Sequence, residues 1–234
     1  MTLRDLLKLR IGTITEKISF KEFCLLIKDG LVGWRLRTGY RVIFLIGGPG
    51  SGKGTLYQEI SQRINSAHVS IGDLLRREME FKTPLGVHVE EVMRDGKLVD
   101  SAIIIRLLRD TLQKLPGKHV FVDGFPRSVQ NAIDFYAVCG VPECAVWLDV
   151  SDEVLVTRLL NRGLSSGRID DNRDVISKRL HVYRTAIEPL RAHFIRVGLP
   201  VYVIDASKSV EHMTQQFFEI PYFKRKMVEE KHKD

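Results

Sequence analysis

The sequence predicts an α/β fold, a parallel sheet of about five strands with helices on both faces. From residue 41 onward, short apolar runs alternate with segments of helical periodicity. Several of the runs are apolar at consecutive positions, as expected of parallel strands buried on both faces. The intervening segments place apolar residues three or four apart, as in Ile103, Leu107, Leu108 and Leu112. This alternation is typical of strand–helix–strand units.

The sequence predicts five strands. They are, along the chain, Val42–Ile46, His68–Ser70, His119–Asp123, Ala145–Val150 and Val201–Asp205. Ligands of open α/β sheets bind beyond the carboxyl ends of the strands. We therefore expect the functional residues at these ends, or on helices that can fold over them.

A glycine-rich stretch, Gly47–Thr55, directly follows the first strand, and a helix-like segment runs from Leu56 to Ile64. This order, with the spacing Gly47-x4-Gly52-Lys53, is that of a phosphate-binding P-loop. Its backbone N–H groups and the Lys53 ammonium can converge on a polyphosphate. The pattern usually has Ser or Thr after the lysine, where Gly54 stands here. We therefore expect magnesium to be carried on the nucleotide and held through water.

Composition and size indicate one main domain. The chain has 234 residues, of which 44% are hydrophobic and 28% charged, ordinary values for a globular protein. No apolar run approaches the ~20 residues of a membrane span. Three cysteines, Cys24, Cys139 and Cys144, show no metal-binding spacing, which favours a reducing compartment, with the cytoplasm as the expected location.

The charge of +7 is concentrated at the two ends of the chain. Residues 1–40 carry eight Lys or Arg against four Asp or Glu, and residues 222–234 carry five against three. The body, 41–221, is nearly neutral, which argues against a nucleic-acid surface. Residues 1–40 are predicted to form a helical extension, either packed on the body or serving as a targeting or docking segment for another compartment or partner. The stretch 222–234 is predicted to be a charged tail.

Arginines follow several strand ends in the predicted fold. One motif, Ser70–Arg76, leaves the second strand, and another, Asp123–Arg127, leaves the third. A third group lies further along the chain and consists of Arg158, Arg162, Arg168, Arg173 and Arg179. An isolated arginine usually lies on a solvated surface, but arginines at several strand or helix ends beside a P-loop indicate phosphate chemistry.

Over about residues 41–220 the chain resembles the adenylate kinase family of nucleoside monophosphate (NMP) kinases, and within it the UMP-CMP kinase type. The resemblance rests on Gly47–Thr55, Ser70–Arg76, Asp123–Arg127, Arg162–Arg179 and Ile204–Val210. It implies a P-loop core, a helical NMP-binding insert at about 70–100 and a short lid at about 163–173. It further implies a monomer that transfers a phosphoryl group from ATP, with Mg²⁺, to a nucleoside monophosphate.

The resemblance also assigns roles to residues. It implies catalytic roles for Lys53, Arg127, Arg162, Arg168 and Arg179. ATP contacts are implied for Gly48, Pro49, Gly50, Ser51, Gly52, Lys53, Gly54, Thr55, Arg158, Arg162 and Lys208. Acceptor contacts are implied for Ile71, Gly72, Arg76, Val99, Gly124, Arg127, Asn131, Arg168 and Arg179. Asp123 would hold magnesium through its waters.

Two positions bear on the acceptor base. Adenylate kinases typically have threonine at the position of Ile71 and glutamine at that of Asn131, and UMP-CMP kinases tend to have alanine and asparagine. Ile71 cannot hydrogen-bond a base edge, and Asn131 reaches less far than glutamine, so UMP or CMP (and possibly dCMP) is the expected acceptor. AMP is the alternative, because a one-residue shift of the helix would bring Gln130 to the base. Asp100 stands where the family usually has proline.

Other classes fit the sequence less well. A P-loop GTPase or motor ATPase would need a switch loop and a water-positioning residue, and neither is recognisable. A nucleotide-binding protein without activity would be expected to have lost Lys53 or several of the arginines, and all are present.

Overall fold

The structure is a computed structural model that describes residues 41–115, 119–166 and 170–224, with only the main chain at 165 and 166. The predicted extension at 1–40 lies outside these residues. The strands are β1 (Arg41–Gly47), β2 (Ser66–Ser70), β3 (His119–Asp123), β4 (Cys144–Asp149) and β5 (Val201–Asp205). The helices are α1 (Lys53–Ser61), α2 (Ile71–Glu80), α3 (Pro84–Arg94), α4 (Ser101–Leu112), α5 (Val129–Cys139), α6 (Asp152–Ser166), α7 (Arg173–Arg196) and α8 (Val210–Glu219).

The described strands form one parallel sheet in the order β2-β3-β1-β4-β5. The predicted α/β fold with a five-stranded parallel sheet is therefore confirmed. Strands β2 and β3 lie on one side of β1, and β4 and β5 lie on the other, so the strand order reverses at β1. Parallel sheets open a ligand crevice at such a reversal, beyond the carboxyl ends of the strands. The register of β1, β3 and β2 places Leu45, Asp123 and Ser70 side by side at this edge.

Both faces of the sheet are buried, which explains the consecutive apolar positions in the strands. On one face Phe44 lies against Phe125 and Phe135, with ring centroids 5.8 and 5.1 Å apart, and α4, α5 and α7 cover it. On the other face Ile43 and Phe121 pack with residues of α1, α6 and α8. The sheet edge that carries the site is thus held by a core on each side.

Helix α1 begins at Lys53, three residues before the predicted start at Leu56. The reason is Gly52, whose φ of 95° lies in the left-handed region and turns the chain directly into the helix. The lysine of the P-loop is therefore the first residue of the helix, and its ammonium lies at the helix N-terminus.

Helices α2 and α3 occupy most of the predicted insert at 70–100. They pack closely at Gly86, where a Cβ atom would lie only 1.9 Å from the carbonyl oxygen of Glu78. Thr83 caps α3 by accepting a hydrogen bond from the Gly86 N–H at 2.9 Å. This hairpin forms one wall of the crevice above the sheet.

The predicted lid at 163–173 begins inside a helix, because α6 continues to Ser166. Asn172 caps α7 through a hydrogen bond from the Val175 N–H, 3.1 Å long. Residues 167–169, between the two, lie outside the described chain. None of the helices in the described part is long and apolar enough to cross a bilayer. The folded body extends past 221, since Phe223 is fully buried.

Candidate active site

The P-loop connects β1 to α1, and Lys53 folds back across it. Its Nζ donates to the carbonyl oxygens of Gly47 and Gly48, both at 2.9 Å, and to Ser51 Oγ at 3.2 Å. The loop packs closely on α6 at Gly48, since a Cβ there would lie 2.6 Å from Leu155 Cδ1. The loop is thus closed over its own lysine and packed firmly on α6.

The Lys53 ammonium is poor in negative partners. Burial lowers its pKa to about 8, while Asp123, whose Oδ1 lies 4.0 Å away, raises it and the arginines 127, 179 and 162 lower it further. A low-dielectric site crowded with cations favours a multiply charged anion. The chemistry of the loop therefore matches a polyphosphate.

Asp123 ends β3 beside the P-loop, and its side chain is only 13% exposed. Burial opposes its ionisation, but hydrogen bonding to His68 and the charge of Lys53 outweigh this and keep its pKa below the usual value. His68 Nε2 lies 3.4 Å from Asp123 Oδ2, and the imidazole stacks on Tyr57 with ring centroids 4.4 Å apart. His68 is not among the predicted site residues, and its only signal in the sequence is its position near a strand end.

Arg76 and Arg127 also line the crevice. Arg76 projects from the second turn of α2 and pairs with Asp73. The Arg127 Nε donates to the carbonyl oxygen of Gly124 at 2.9 Å. Desolvation, with the nearby charge of Arg179, lowers the Arg127 pKa to about 10, so it remains a cation at neutral pH. Two guanidinium groups thus face one space, an arrangement suited to bidentate phosphate contacts.

Two more arginines are fixed by buried carboxylates. Arg162 on α6 makes a bidentate pair with Asp171, at 2.6 and 2.7 Å. Arg179 on α7 bonds to the Asp170 carboxylate at 2.7 Å and to its carbonyl oxygen at 2.9 Å. Gly163 allows the main chain at Asp171 to approach α6, because a Cβ at position 163 would lie 2.6 Å from the Asp171 carbonyl oxygen. Both guanidinium groups are therefore oriented before any ligand binds.

These groups border one cleft of about 550 Å³, called the cleft below. The predicted site residues that line it are Pro49, Gly50, Ser51, Gly52, Lys53, Gly54, Thr55, Ile71, Gly72, Arg76, Val99, Asp123, Gly124, Arg127, Asn131, Arg158, Arg162, Arg179 and Lys208. Gly48 lies behind the loop, and Arg173 begins α7 away from the cleft lining. Arg168 lies outside the described residues.

The base-pocket residues differ in what they contact. Ile71 lines the cleft but is only 3% exposed, as part of the core under α2. Gln130, the alternative base contact, is not brought into the cleft; its Nε2 donates to Asp134 at 2.8 Å. Met93 and Ile104 also line the cleft, and their only sequence signal was apolar helical spacing.

Asp100, unexplained by the sequence, caps α4 through a hydrogen bond from the Ala102 N–H at 2.8 Å. The next residue, Ser101, donates to Asp134 at 2.6 Å. Asp134 on α5 thereby holds the start of α4. Asp100 therefore fixes the start of α4, directly after Val99, which lines the cleft.

The described residues contain no group of three or more His, Cys, Asp or Glu that could hold a metal ion. Asp73 and Asp170 line the cleft, but each is paired with an arginine. Asp123 is the ionised carboxylate beside the P-loop, and Mg²⁺ commonly binds through one or two carboxylates, waters and substrate phosphates. The residues therefore fit a hydrated magnesium carried on a polyphosphate.

The fold and the cleft define a P-loop protein whose site has room and charge for two phosphate-bearing ligands. Comparison with known proteins agrees. The adenylate kinase family model matches residues 45–199. Human adenylate kinase isoenzyme 1 is 38% identical over 178 residues, which is 75% of this chain and 91% of that protein. The pig isoenzyme 1 gives the same values, and adenylate kinase 1 of Schistosoma mansoni is 38% identical over 173 residues, 73% of this chain and 87% of that protein.

The chain therefore belongs to the adenylate kinase family and is a phosphotransferase. The expected resemblance to this family is confirmed. The finer assignment to the UMP-CMP kinase type has no support in these comparisons, because the relatives named above are adenylate kinases.

Proposed function

We propose that the protein is an adenylate kinase, which reversibly transfers the γ-phosphoryl group of magnesium-bound ATP to AMP. The observation that carries the transfer reaction is that the P-loop, Lys53, Arg76 and Arg127 all line one cleft. Phosphoryl transfer needs little covalent chemistry from the protein. Alignment of two phosphates and neutralisation of their charge suffice, and these groups supply both.

The relatives favour AMP over the pyrimidine acceptors that Ile71 and Asn131 suggest. They carry the name adenylate kinase and share more than a third of their residues with this chain over nearly their whole length. Ile71 lies largely within the core, so its lack of a hydrogen-bonding group says little about which base the cleft accepts. UMP and CMP remain the second candidate acceptors, since Asn131 rather than glutamine lines the cleft.

On the donor side, Lys53 would follow the transferred phosphoryl group. Its hydrogen bonds to Gly47 and Gly48 hold the ammonium where phosphate oxygens would replace the carbonyls. The N–H groups of the loop and the N-terminus of α1 would add further positive potential. Arg158 would stack on the ATP base and Lys208 would lie near it, as the family resemblance implies, and both residues line the cleft.

On the acceptor side, Arg76 and Arg127 would grip the phosphate of AMP. Arg162 and Arg179 line the same cleft, and their charges act on Lys53, so they would neutralise the charge of the group in transit. Their fixed pairs with Asp171 and Asp170 reduce the reorganisation needed when the ligands bind. Arg168 would contribute to the same role, as the family resemblance implies, but it lies outside the described residues.

Asp123 is the residue that would hold the waters of magnesium, whose charge would offset that of the ATP phosphates. Its ionised state is secured by His68 and Lys53. Thr55 follows Gly54 in the first turn of α1, so the usual hydroxyl ligand is displaced by one position. The metal would therefore be held mainly by the phosphates and by water.

The test compares AMP, UMP, CMP and dCMP as acceptors with magnesium and ATP, each titrated to saturation. The proposal predicts that AMP has the highest kcat/KM. A higher kcat/KM for UMP or CMP would replace AMP by the pyrimidine acceptors and leave the reaction class intact. Absence of transfer to every acceptor would overturn the proposed reaction itself.

A further inference from the structure

A groove of about 360 Å³ lies between α1 and α8, on the face of the sheet opposite to α4 and α5, and is called the α1–α8 groove below. The lining residues that matter here are Glu59, Arg63, Glu211, Thr214, Phe218 and Glu219. None of the described groups with a proposed role in phosphoryl transfer lines this groove. A ligand bound in it would therefore lie apart from the reacting phosphates.

The groove is acidic and partly apolar. None of its three glutamates forms an ion pair with another described residue. Phe218 is half-buried, and the Arg63 guanidinium lies over its ring, 4.9 Å from the centroid. Thr214 is 5% exposed, and its hydroxyl has no hydrogen-bond partner in the described part of the chain. An occupant with cationic and apolar side chains would complement these groups.

Residues 1–40 join the described body close to one end of this groove. Arg41 begins β1 and pairs with His119 on β3. The His119 ring lies edge-on to the ring of Tyr222, with centroids 6.2 Å apart. Tyr222 follows Glu219, the last residue of α8, by three positions, and three residues span at most about 10 Å. The segment before Arg41 therefore starts within reach of the groove.

The sequence of this segment matches the groove in charge and pattern. Residues 1–40 carry eight Lys or Arg against four Asp or Glu. The stretch 19–30, which lies outside the described residues, is predicted to form a helix, since its start has the spacing of a capping box and Gly30 can end it. Its predicted apolar stripe consists of Phe20, Phe23, Cys24 and Ile27. On a helix, Lys21 and Lys28 flank this stripe, whereas both acidic residues of the stretch lie opposite to it.

The lengths also agree. A helix over 20–30 would be about 16 Å long, and α8, with ten residues, is about 15 Å long. Residues 31–40 span up to about 33 Å, so they are long enough to return the predicted helix along α8. The chain after residue 224 is the weaker candidate for the groove, because its sequence contains no comparable apolar stripe.

From the charge, the pattern and the position of this segment, we propose that the predicted helix at 19–30 docks in the α1–α8 groove of its own chain. Its apolar stripe packs against Phe218, and Lys21 and Lys28 face the glutamates of the groove. Residues 1–40 are then a packed part of the body, and the docking site is remote from the groups that act in phosphoryl transfer.

The thiol of Cys24 reports docking in the full chain, because Cys24 belongs to the predicted apolar stripe. Burial raises the pKa of the Cys139 thiol to about 12 and also raises that of Cys144, so both react slowly. The experiment measures the rate at which DTNB modifies Cys24, with peptide mass spectrometry to identify the thiol. Docking predicts a rate at least about tenfold lower than in a synthetic peptide of residues 17–31.

Charge reversal tests whether the groove provides this protection. Glu211→Lys combined with Glu219→Lys should raise the rate at Cys24 by about 3- to 10-fold, because attraction becomes repulsion at two exposed positions. The matched control combines Glu90→Lys with Asp110→Lys, on α3 and α4, whose side chains are each 42% exposed. It makes the same change in net charge and should leave the rate within about twofold of wild type. An equal increase in the control would overturn the proposal.

A charge exchange tests the contact itself. Lys21→Glu combined with Lys28→Glu should also speed the reaction of Cys24, and all four substitutions together should slow it again, because the opposite charges are restored with their signs exchanged. A fast reaction in the fourfold variant would contradict the contact. Circular dichroism shows which variants are folded. If groove reversal prevents folding, the extension variant and a rise in salt to about 0.5 M carry the test, and both should speed the reaction.

The remaining outcomes also decide the proposal. A Cys24 that reacts as fast in the protein as in the peptide would show that the groove does not hold the extension. A protected Cys24 that is insensitive to groove reversal would place the extension on another surface. Docking within one chain also requires that protection be independent of protein concentration, and a loss of protection on dilution would assign the groove to a second copy of the chain.

Discussion

The pair between Arg162 and Asp171 provides a quantitative prediction about the stability of the cleft. The Asp171 side chain is fully buried and accepts two hydrogen bonds from Arg162, at 2.6 and 2.7 Å, and one from Arg179 at 3.1 Å. Removing one partner of a buried ion pair costs about 3–5 kcal/mol. The Arg162 side chain is 32% exposed, so water can replace part of the lost interaction. We therefore expect Asp171→Ala to lower the free energy of unfolding by about 2–4 kcal/mol.

At about 2–4 °C per kcal/mol for a chain of this size, Tm should fall by about 5–15 °C. Urea and thermal unfolding followed by circular dichroism measure both quantities. The matched control is Asp152→Ala, which removes a comparable pair with Arg184, at 2.6 and 2.8 Å, whose side chains are 46% and 41% exposed. An exposed pair contributes about 0–1 kcal/mol. Equal losses in the two variants would refute the claim that burial gives the Asp171 pair its strength.

Three further predictions concern activity and binding. Nucleotide binding near pH 8 should take up a proton, because Lys53 with its pKa of about 8 is half neutral there and a bound polyphosphate raises that pKa; calorimetry in buffers of different ionisation enthalpy measures the uptake, and unchanged uptake in Lys53→Met would contradict this origin. Arg127→Ala should lower kcat by about 10³–10⁵-fold with the fold intact, and near-normal turnover would refute its role. A protein lacking residues 1–40 should retain kcat, because the described residues that line the cleft, from Ile46 to Met213, supply all the groups to which a role is proposed except Arg168, which also lies outside 1–40; loss of folding would show instead that the body requires the extension to fold.

The sheet and the P-loop could be predicted because local sequence determines them. Strands such as β1 are apolar at consecutive positions, and the glycines of the loop must adopt conformations that other residues avoid. The start of α1 was misplaced by three residues, since the prediction began the helix at its first apolar residue, Leu56. Gly52 in fact turns the chain so that Lys53 already lies in the helix.

The details of the cleft could not be predicted, because they depend on side chains from distant segments. The hydrogen bond from Ser101 to Asp134 spans 33 positions of the sequence. Asp134 also accepts a hydrogen bond from the Gln130 side chain. The contact between His68 and Asp123 joins neighbouring strands far apart in the chain. Sequence spacing specifies which residues are near a strand end, but the hydrogen-bond partners of Asn131 follow only from the folded helix N-terminus.

The most direct measurement follows ADP formation from magnesium and ATP in the presence and absence of AMP. The cleft, which is lined by the P-loop, Arg76 and Arg127, predicts rapid ADP formation that saturates with AMP. Without an acceptor, ADP formation should be negligible. ADP formation at the same rate with and without AMP or any other nucleoside monophosphate would identify a hydrolase and contradict phosphoryl transfer as the function of this site.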